Sequence, residues 1–290
     1  MLIENEKDLE NLNDRKPKIL ILGDGDFFDS LDVRSQNYLI KDIHVGYVLV
    51  NDVEPKNASR FLNFDETSWY ENNILAFIPY SKTYTSLDAW PEKLIQSKND
   101  TIANILILLG AKKVKITSIS EDITDSKQLK NYESSFELRE ETEIASVSPF
   151  KVDTTVENKE NSSQEIRNYN SLFQEDIFET ELKEPQYDPS RAQQLIRKYN
   201  LTADIPYLNS IASFNRKFKF FQLKMTVKKE LSLVSDLTLT IANKLGLDIS
   251  YKTQNIGIGN SLILLSKKIT NYRLKSSSFL KKIYKIEVEF

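Results

Sequence analysis

Between Phe221 and Tyr251 nearly every odd-numbered residue is apolar and nearly every even-numbered one is polar. The odd series runs Phe221, Leu223, Met225, Val227, Leu231, Leu233, Leu237, Leu239, Ile241, Leu245, Leu247, Ile249 and Tyr251, broken by Lys229, Ser235 and Asn243. Val234 and Ala242 are the apolar exceptions in the even series. Side chains on a strand alternate between faces, so a period of two marks a β surface with one apolar and one wet side. Equal parity on both halves predicts a hairpin turning at Ser235, with strands over 221–233 and 237–249, in which Leu233 faces Leu237 and Leu231 faces Leu239. A competing reading makes Ser235 an N-cap and runs a helix to Gly246, with Leu237, Ile241 and Leu245 on one stripe.

The net charge of −3 hides a division. Residues 1–190 carry 21 basic and 36 acidic residues, a net −15, whereas residues 191–290 carry 18 and 6, a net +12. Such asymmetry predicts that the C-terminal third meets something acidic, either a partner or the rest of its own chain. At 290 residues the chain has room for about two domains. Cysteine is absent, which excludes disulfides, thiolate metal sites and a Cys nucleophile. The acidic first ten residues lack a basic segment followed by an apolar core, and no apolar run is of membrane-spanning length. The expectation is a soluble cytoplasmic protein whose main mode of action does not involve a membrane.

Three zones are expected along the chain. In residues 15–130, Lys18–Gly23, His44–Val50 and Ile74–Pro79 read as short buried strands. Pro91 opens a long helix stopped at Gly110, and Lys113–Ile119 returns as a strand, so this zone reads as an α/β-like unit. Residues 131–156 read as a hairpin turning near Ser148-Pro149. Residues 157–187 read as an acidic polar loop or linker in which Phe173, Ile177 and Phe178 could form a short amphipathic helix. In residues 188–290, Asp188-Pro189-Ser190 is a helix start, and a second short helix is expected near 205–214. Strands are expected at Leu262–Leu265 and over the last residues, where Tyr284, Ile286, Val288 and Phe290 alternate with Lys285, Glu287 and Glu289. A shift of apolar parity near 256–259 reads as a bulge or turn. The fold class is therefore α+β: an acidic N-terminal α/β-like unit and a basic C-terminal antiparallel β-meander with packed helices.

Chemistry is sparse. Gly23-Asp24-Gly25-Asp26, directly after a strand, would let backbone amides approach a nucleotide, or would hold Mg²⁺ through its carboxylates with Glu121, Asp122 and Asp125. Asp52 would then be placed for a ribose hydroxyl. The aspartate pair resembles that of haloacid-dehalogenase phosphatases, although the Gly-Thr that follows it in that family is missing here. A Gly-Asp-Gly-Asp stretch is first of all a turn sequence, so no cofactor is assigned. His44 is the sole histidine, and no Gly-x-Ser-x-Gly elbow accompanies it.

The run from Phe214 to Lys224 is basic and aromatic, and resembles in composition a strand that binds single-stranded nucleic acid. Arg216, Lys217, Lys219, Lys224, Lys228, Lys244 and Lys252 would form one wet, basic face for an acidic protein or a nucleic acid. The function expected is non-catalytic binding or assembly through this face. Alternatives are a nucleotide- or Mg-dependent enzyme using the 23–26 loop, and a pore former inserting the 221–249 hairpin.

Overall fold

A computed structural model describes residues 1–12, 16–120, 174–181, 187–202, 205, 208, 220–247, 260–280 and 282–290. In chain order the elements are β1 (Leu2–Ile3), α1 (Glu6–Glu10), β2 (Ile19–Gly23), α2 (Gly25–Ser30), α3 (Val33–Lys41), β3 (Val45–Leu49), α4 (Pro55–Ala58), β4 (Asn73–Ile78), β5 (Thr83–Ser86) and α5 (Trp90–Leu108). They continue with β6 (Lys113–Ser120), β7 (Gln174–Glu181), α6 (Pro189–Tyr199), β8 (Phe220–Met225), α7 (Lys228–Lys244), α8 (Asn260–Leu280) and β9 (Lys282–Glu289). The class is α+β, as the sequence predicts. The chain forms two compact units, Met1–Asp100 with Val227–Leu280, and Thr101–Thr226 with Lys281–Phe290.

The first unit holds a five-stranded mixed sheet in the order β1-β3-β2-β4-β5. β1, β3 and β2 are parallel, while β4 runs antiparallel to β2 and β5 to β4. Every residue of β2 and β3 is buried, which explains why Ile-Leu-Ile-Leu and Val-Gly-Tyr-Val-Leu are continuous runs rather than alternating ones. Leu20, Leu22, Val48 and Leu75 pack on one face with Ile3, Leu9 and Trp69.

α7 and α8 complete this unit, and here the alternation misleads. The segment expected as a hairpin is the short strand β8 followed by α7, and the second strand never forms. The residues α7 buries are Leu231, Val234, Thr238, Ile241 and Ala242, spaced mostly three or four apart. Both even-numbered apolar exceptions are thus core residues, while the odd-numbered Leu233 is left 49% exposed. The helix lies nearer the competing reading, but begins seven residues before Ser235. It ends where Gly246 adopts φ +64, a left-handed conformation that costs a side-chain-bearing residue free energy. Gly246→Ala should therefore lower stability by about 1 kcal/mol, read as a shift in the urea midpoint. A hairpin would show no such loss at that position.

Leu262–Leu265, expected as a strand, lies inside α8. That helix buries Leu265, Ile269, Tyr272 and Ser276 at helical spacing and leaves Ile263 and Leu264 outside. The Tyr272 hydroxyl donates to the Leu231 carbonyl at 3.2 Å, tying α8 to α7. No helix among the described residues is long and apolar enough to cross a membrane.

The second unit is an antiparallel sheet in the order β7-β6-β9-β8. β6, expected in the N-terminal zone, pairs instead with β7 and β9. β9 lies between β6 and β8, so the sheet is antiparallel without the neighbour-to-neighbour order of a meander. Val114 faces Val288, and Ile116 faces Ile286, which Leu223 meets from the other side. The alternation expected over the last residues holds, with Tyr284, Ile286 and Val288 buried. Ile177 and Phe178 lie in β7, a strand rather than a short helix. α6 begins as predicted: the Asp188 side chain accepts from the Arg191 amide at 3.0 Å, and Pro189 occupies the first turn. The expected hairpin at 131–156, most of the helix near 205–214 and the parity change at 256–259 lie outside the described residues.

Candidate functional site

The Gly23–Asp26 loop is built as a turn and a cap. Gly23 closes β2, and Asp24 is the N-cap of α2, its carboxylate accepting from the Phe27 amide. A Cβ on Gly23 would stand 2.0 Å from Tyr47 Oη and 2.6 Å from Cζ, so the space the glycine leaves is filled by that ring. The Tyr47 hydroxyl donates to the Asp24 carbonyl at 2.9 Å, and burial pushes its acidity well below that of an ordinary phenol. Nothing lies within 4 Å of a Cβ on Gly25, and Asp26 is exposed.

Asp52, expected to accompany this loop, follows β3, whose last residue Leu49 pairs with Gly23. Asp52 is exposed in the turn after β3, and Glu121, Asp122 and Asp125 lie outside the described residues. Among the described residues no cluster of three or more His, Cys, Asp or Glu is arranged to hold a metal ion. His44 is exposed beside β3. Its carbonyl accepts from the Lys18 and Ile19 amides at 2.8 and 3.0 Å, and its amide donates to Asp42 Oδ1 at 2.7 Å.

Three of the seven basic residues expected on one sheet face are described, and they fall on two elements. Arg216, Lys217, Lys219 and Lys252 lie outside the described residues, and Lys224 is in β8. Lys228 opens α7 and Lys244 ends it, which separates them by about 24 Å along the axis. The strand pairing that would have set Lys244 opposite Thr226 is replaced by a single helix.

Lys244 instead joins a different set. Together with Arg34, Asn37, Tyr38, Lys41 and Asp42 it lines a groove of about 390 Å³ in the first unit. Sequence supplies the scaffold locally: Asp32 caps α3 through the Ser35 amide at 2.8 Å, and that contact holds its exposed carboxyl below the usual carboxylate range. Leu39 and Ser35, four apart, are buried. Ser35 Oγ then lies 2.8 Å from the Lys244 carbonyl, fixing the last turn of α7 against α3.

Three cations thus face one carboxylate. Asp42 is already engaged, since Oδ1 accepts from the His44 and Val45 amides at 2.7 and 3.1 Å. Neither Lys41 nor Lys244 has an ion-pair partner among the described residues. The Tyr38 hydroxyl is buried with no hydrogen-bond partner among the described residues. Burial, then the nearby Asp42 charge, pushes its pKa up to about 12, so it stays a donor at neutral pH.

A second charged cluster is internal to the same unit. Lys98 Nζ lies 2.8 Å from Glu230 Oε1, which also accepts from the Tyr80 hydroxyl at 2.5 Å, and Lys98 is fully buried. Sequence reasoning missed this pair and the α3 cations alike. The cap-and-amphipathic pattern over 32–41 is a local signal that would have revealed α3, whereas nothing local links Lys98 to Glu230. Compared with known protein families, curated proteins and solved structures, the chain matches none.

Proposed function

We propose that this protein is a non-catalytic binding or assembly protein that docks on an acidic partner, and that the α3–α7 groove is its docking surface. The observation that carries the reading is the presence of Arg34, Lys41 and Lys244 around one groove, the two lysines without ion pairs among the described residues. Three other cations of the unit are spent internally, Lys98 on Glu230, Lys268 near Asp88 and Lys275 on Glu92, so it is the gathering of three cations around one groove, rather than their lack of partners, that sets this surface apart. Unpaired like charges repel one another and are retained at a cost that a partner's carboxylates or phosphates remove. The basic surface is composite, with two cations from the acidic N-terminal zone and one from the basic C-terminal third.

Immobilised poly-glutamate tests the reading. Lys41→Glu with Lys244→Glu should weaken retention at least about fivefold relative to a charge-matched control, Lys56→Glu with Lys267→Glu, at two other exposed lysines. Retention of the wild type should fall steeply with added salt. Equal losses in the two double variants would reduce the effect to net charge and remove the groove as the docking surface.

A further inference from the structure

The groove borders an apolar strip that narrows the class of partner. On α3, Val33 and Ile40 stand two turns apart on one face, and Ile43 follows the end of the helix. They are 72%, 46% and 60% exposed, well beyond what aliphatic side chains of their size show in the core of the same unit. Asn37, which lies between Val33 and Ile40 on that face, is itself part of the groove wall. A helix of nine residues therefore presents aliphatic side chains along one line and cations beside it.

Three partner chemistries would answer the cations, and the surroundings separate them. Nucleic-acid recognition in single strands relies on aromatic stacking as well as phosphate contacts, and the strip offers only aliphatic residues. An anionic bilayer would meet Asp26, Asp29 and Asp32, all exposed on α2 and at the start of α3, and like charges would repel. A polypeptide can direct carboxylates at three cations and apolar side chains at three aliphatic ones, while leaving Asp26, Asp29 and Asp32 to solvent.

We infer that α3 and the end of α7 receive an acidic amphipathic polypeptide segment, its carboxylates against Arg34, Lys41 and Lys244 and its apolar residues on Val33, Ile40 and Ile43. This rests on the acidic-partner reading above and adds the apolar half of the recognition.

The test uses the full chain and labelled synthetic helices of about 18 residues, roughly five turns. One peptide has glutamates on one face and leucines on the other, and its twin replaces the leucines by glutamine at equal charge. Fluorescence anisotropy should show the leucine peptide binding about tenfold or more tighter than its twin. Val33→Ser with Ile40→Ser and Ile43→Ser should abolish that preference, with an unchanged circular-dichroism spectrum and urea midpoint reporting that the variant is folded. Equal affinity for both peptides, with the groove-specific poly-glutamate effect intact, overturns this inference and leaves the acidic-partner reading standing. Failure of both peptides together with loss of the groove-specific effect overturns both. Tighter binding to duplex DNA, or to vesicles of phosphatidylserine and phosphatidylcholine, than to the leucine peptide also overturns the polypeptide assignment, and names which surface replaces it.

Discussion

Replacing Lys98 with methionine should lower unfolding stability by about 3–5 kcal/mol, because it strands a buried carboxylate. Glu230 is only 14% exposed, and its Oε1 accepts from both Lys98 Nζ and the Tyr80 hydroxyl. Oε2 is buried without a hydrogen-bond partner among the described residues, and the Lys98 ammonium is the compensating charge seen among them. Without it the carboxylate would keep one neutral donor, and much of the solvation it lost on folding would go unrepaid. Lys98→Met with Glu230→Leu should recover most of the loss, since apolar groups of similar size replace a buried ion pair at little net cost. The pH dependence has a definite sign. Burial alone would raise the Glu230 carboxyl, but the charge of Lys98 and the hydrogen bonds from Lys98 and Tyr80 outweigh it and hold it below the ordinary value. A depressed folded pKa gives stability that is complete above the unfolded value of about 4.3 and is lost as pH falls through the folded value. The gap between wild type and Lys98→Met in urea titrations should thus narrow as pH falls below about 4.3 and close as it passes the folded value. A loss under about 1 kcal/mol, or a gap that does not change with pH, would contradict this account of the pair.

How far the sequence could be read follows from the range over which each feature is encoded. β2, β3 and β4 are legible because a strand buried on both faces is a continuous apolar run, and α5 because Pro91 and Gly110 bracket it. β9 is legible because one of its faces is apolar and the other is not. α7 is not, since of the odd series over 231–241 only Leu231 and Ile241 fall on its buried face, and the even-numbered Val234, Thr238 and Ala242 that complete that face are too few to outweigh the alternation. Sheet membership is a tertiary fact: β6 carries no local mark that it pairs with residues 282–289 rather than with β2. The site divides in the same way. Lys244 stands out by charge in the sequence, but Arg34 and Lys41 become its neighbours only through the Ser35 contact, 209 residues apart. Lys98 and Glu230, 132 residues apart, are ordinary surface types in the sequence and a buried pair in the fold.

Gly23→Ala should cost about 1–3 kcal/mol through overpacking, and almost all of that loss should vanish in the background of Tyr47→Leu. A Cβ at Gly23 would sit 2.0 Å from Tyr47 Oη, far inside contact distance. The ring has little room to retreat: Phe28 and Phe27 stand at centroid distances of 5.2 and 6.2 Å, and the hydroxyl is tied to the Asp24 carbonyl. Tyr47→Leu is itself destabilising, through lost volume and a lost hydrogen bond, so the informative quantity is the coupling in the double-mutant cycle. Gly25→Ala, with nothing within 4 Å of the added methyl, should change stability by less than about 0.5 kcal/mol. The contrast between the two glycines bears on what the Gly-Asp-Gly-Asp stretch is for. If it cradled a phosphate, both glycines would matter through ligand affinity and neither through Tyr47. If it is a tight exit from β2 capped by Asp24, the loss belongs to Gly23 alone and is carried by the tyrosine. Equal losses for Gly23→Ala with Tyr47 present and with Tyr47→Leu in place, measured by urea denaturation, would remove the packing explanation.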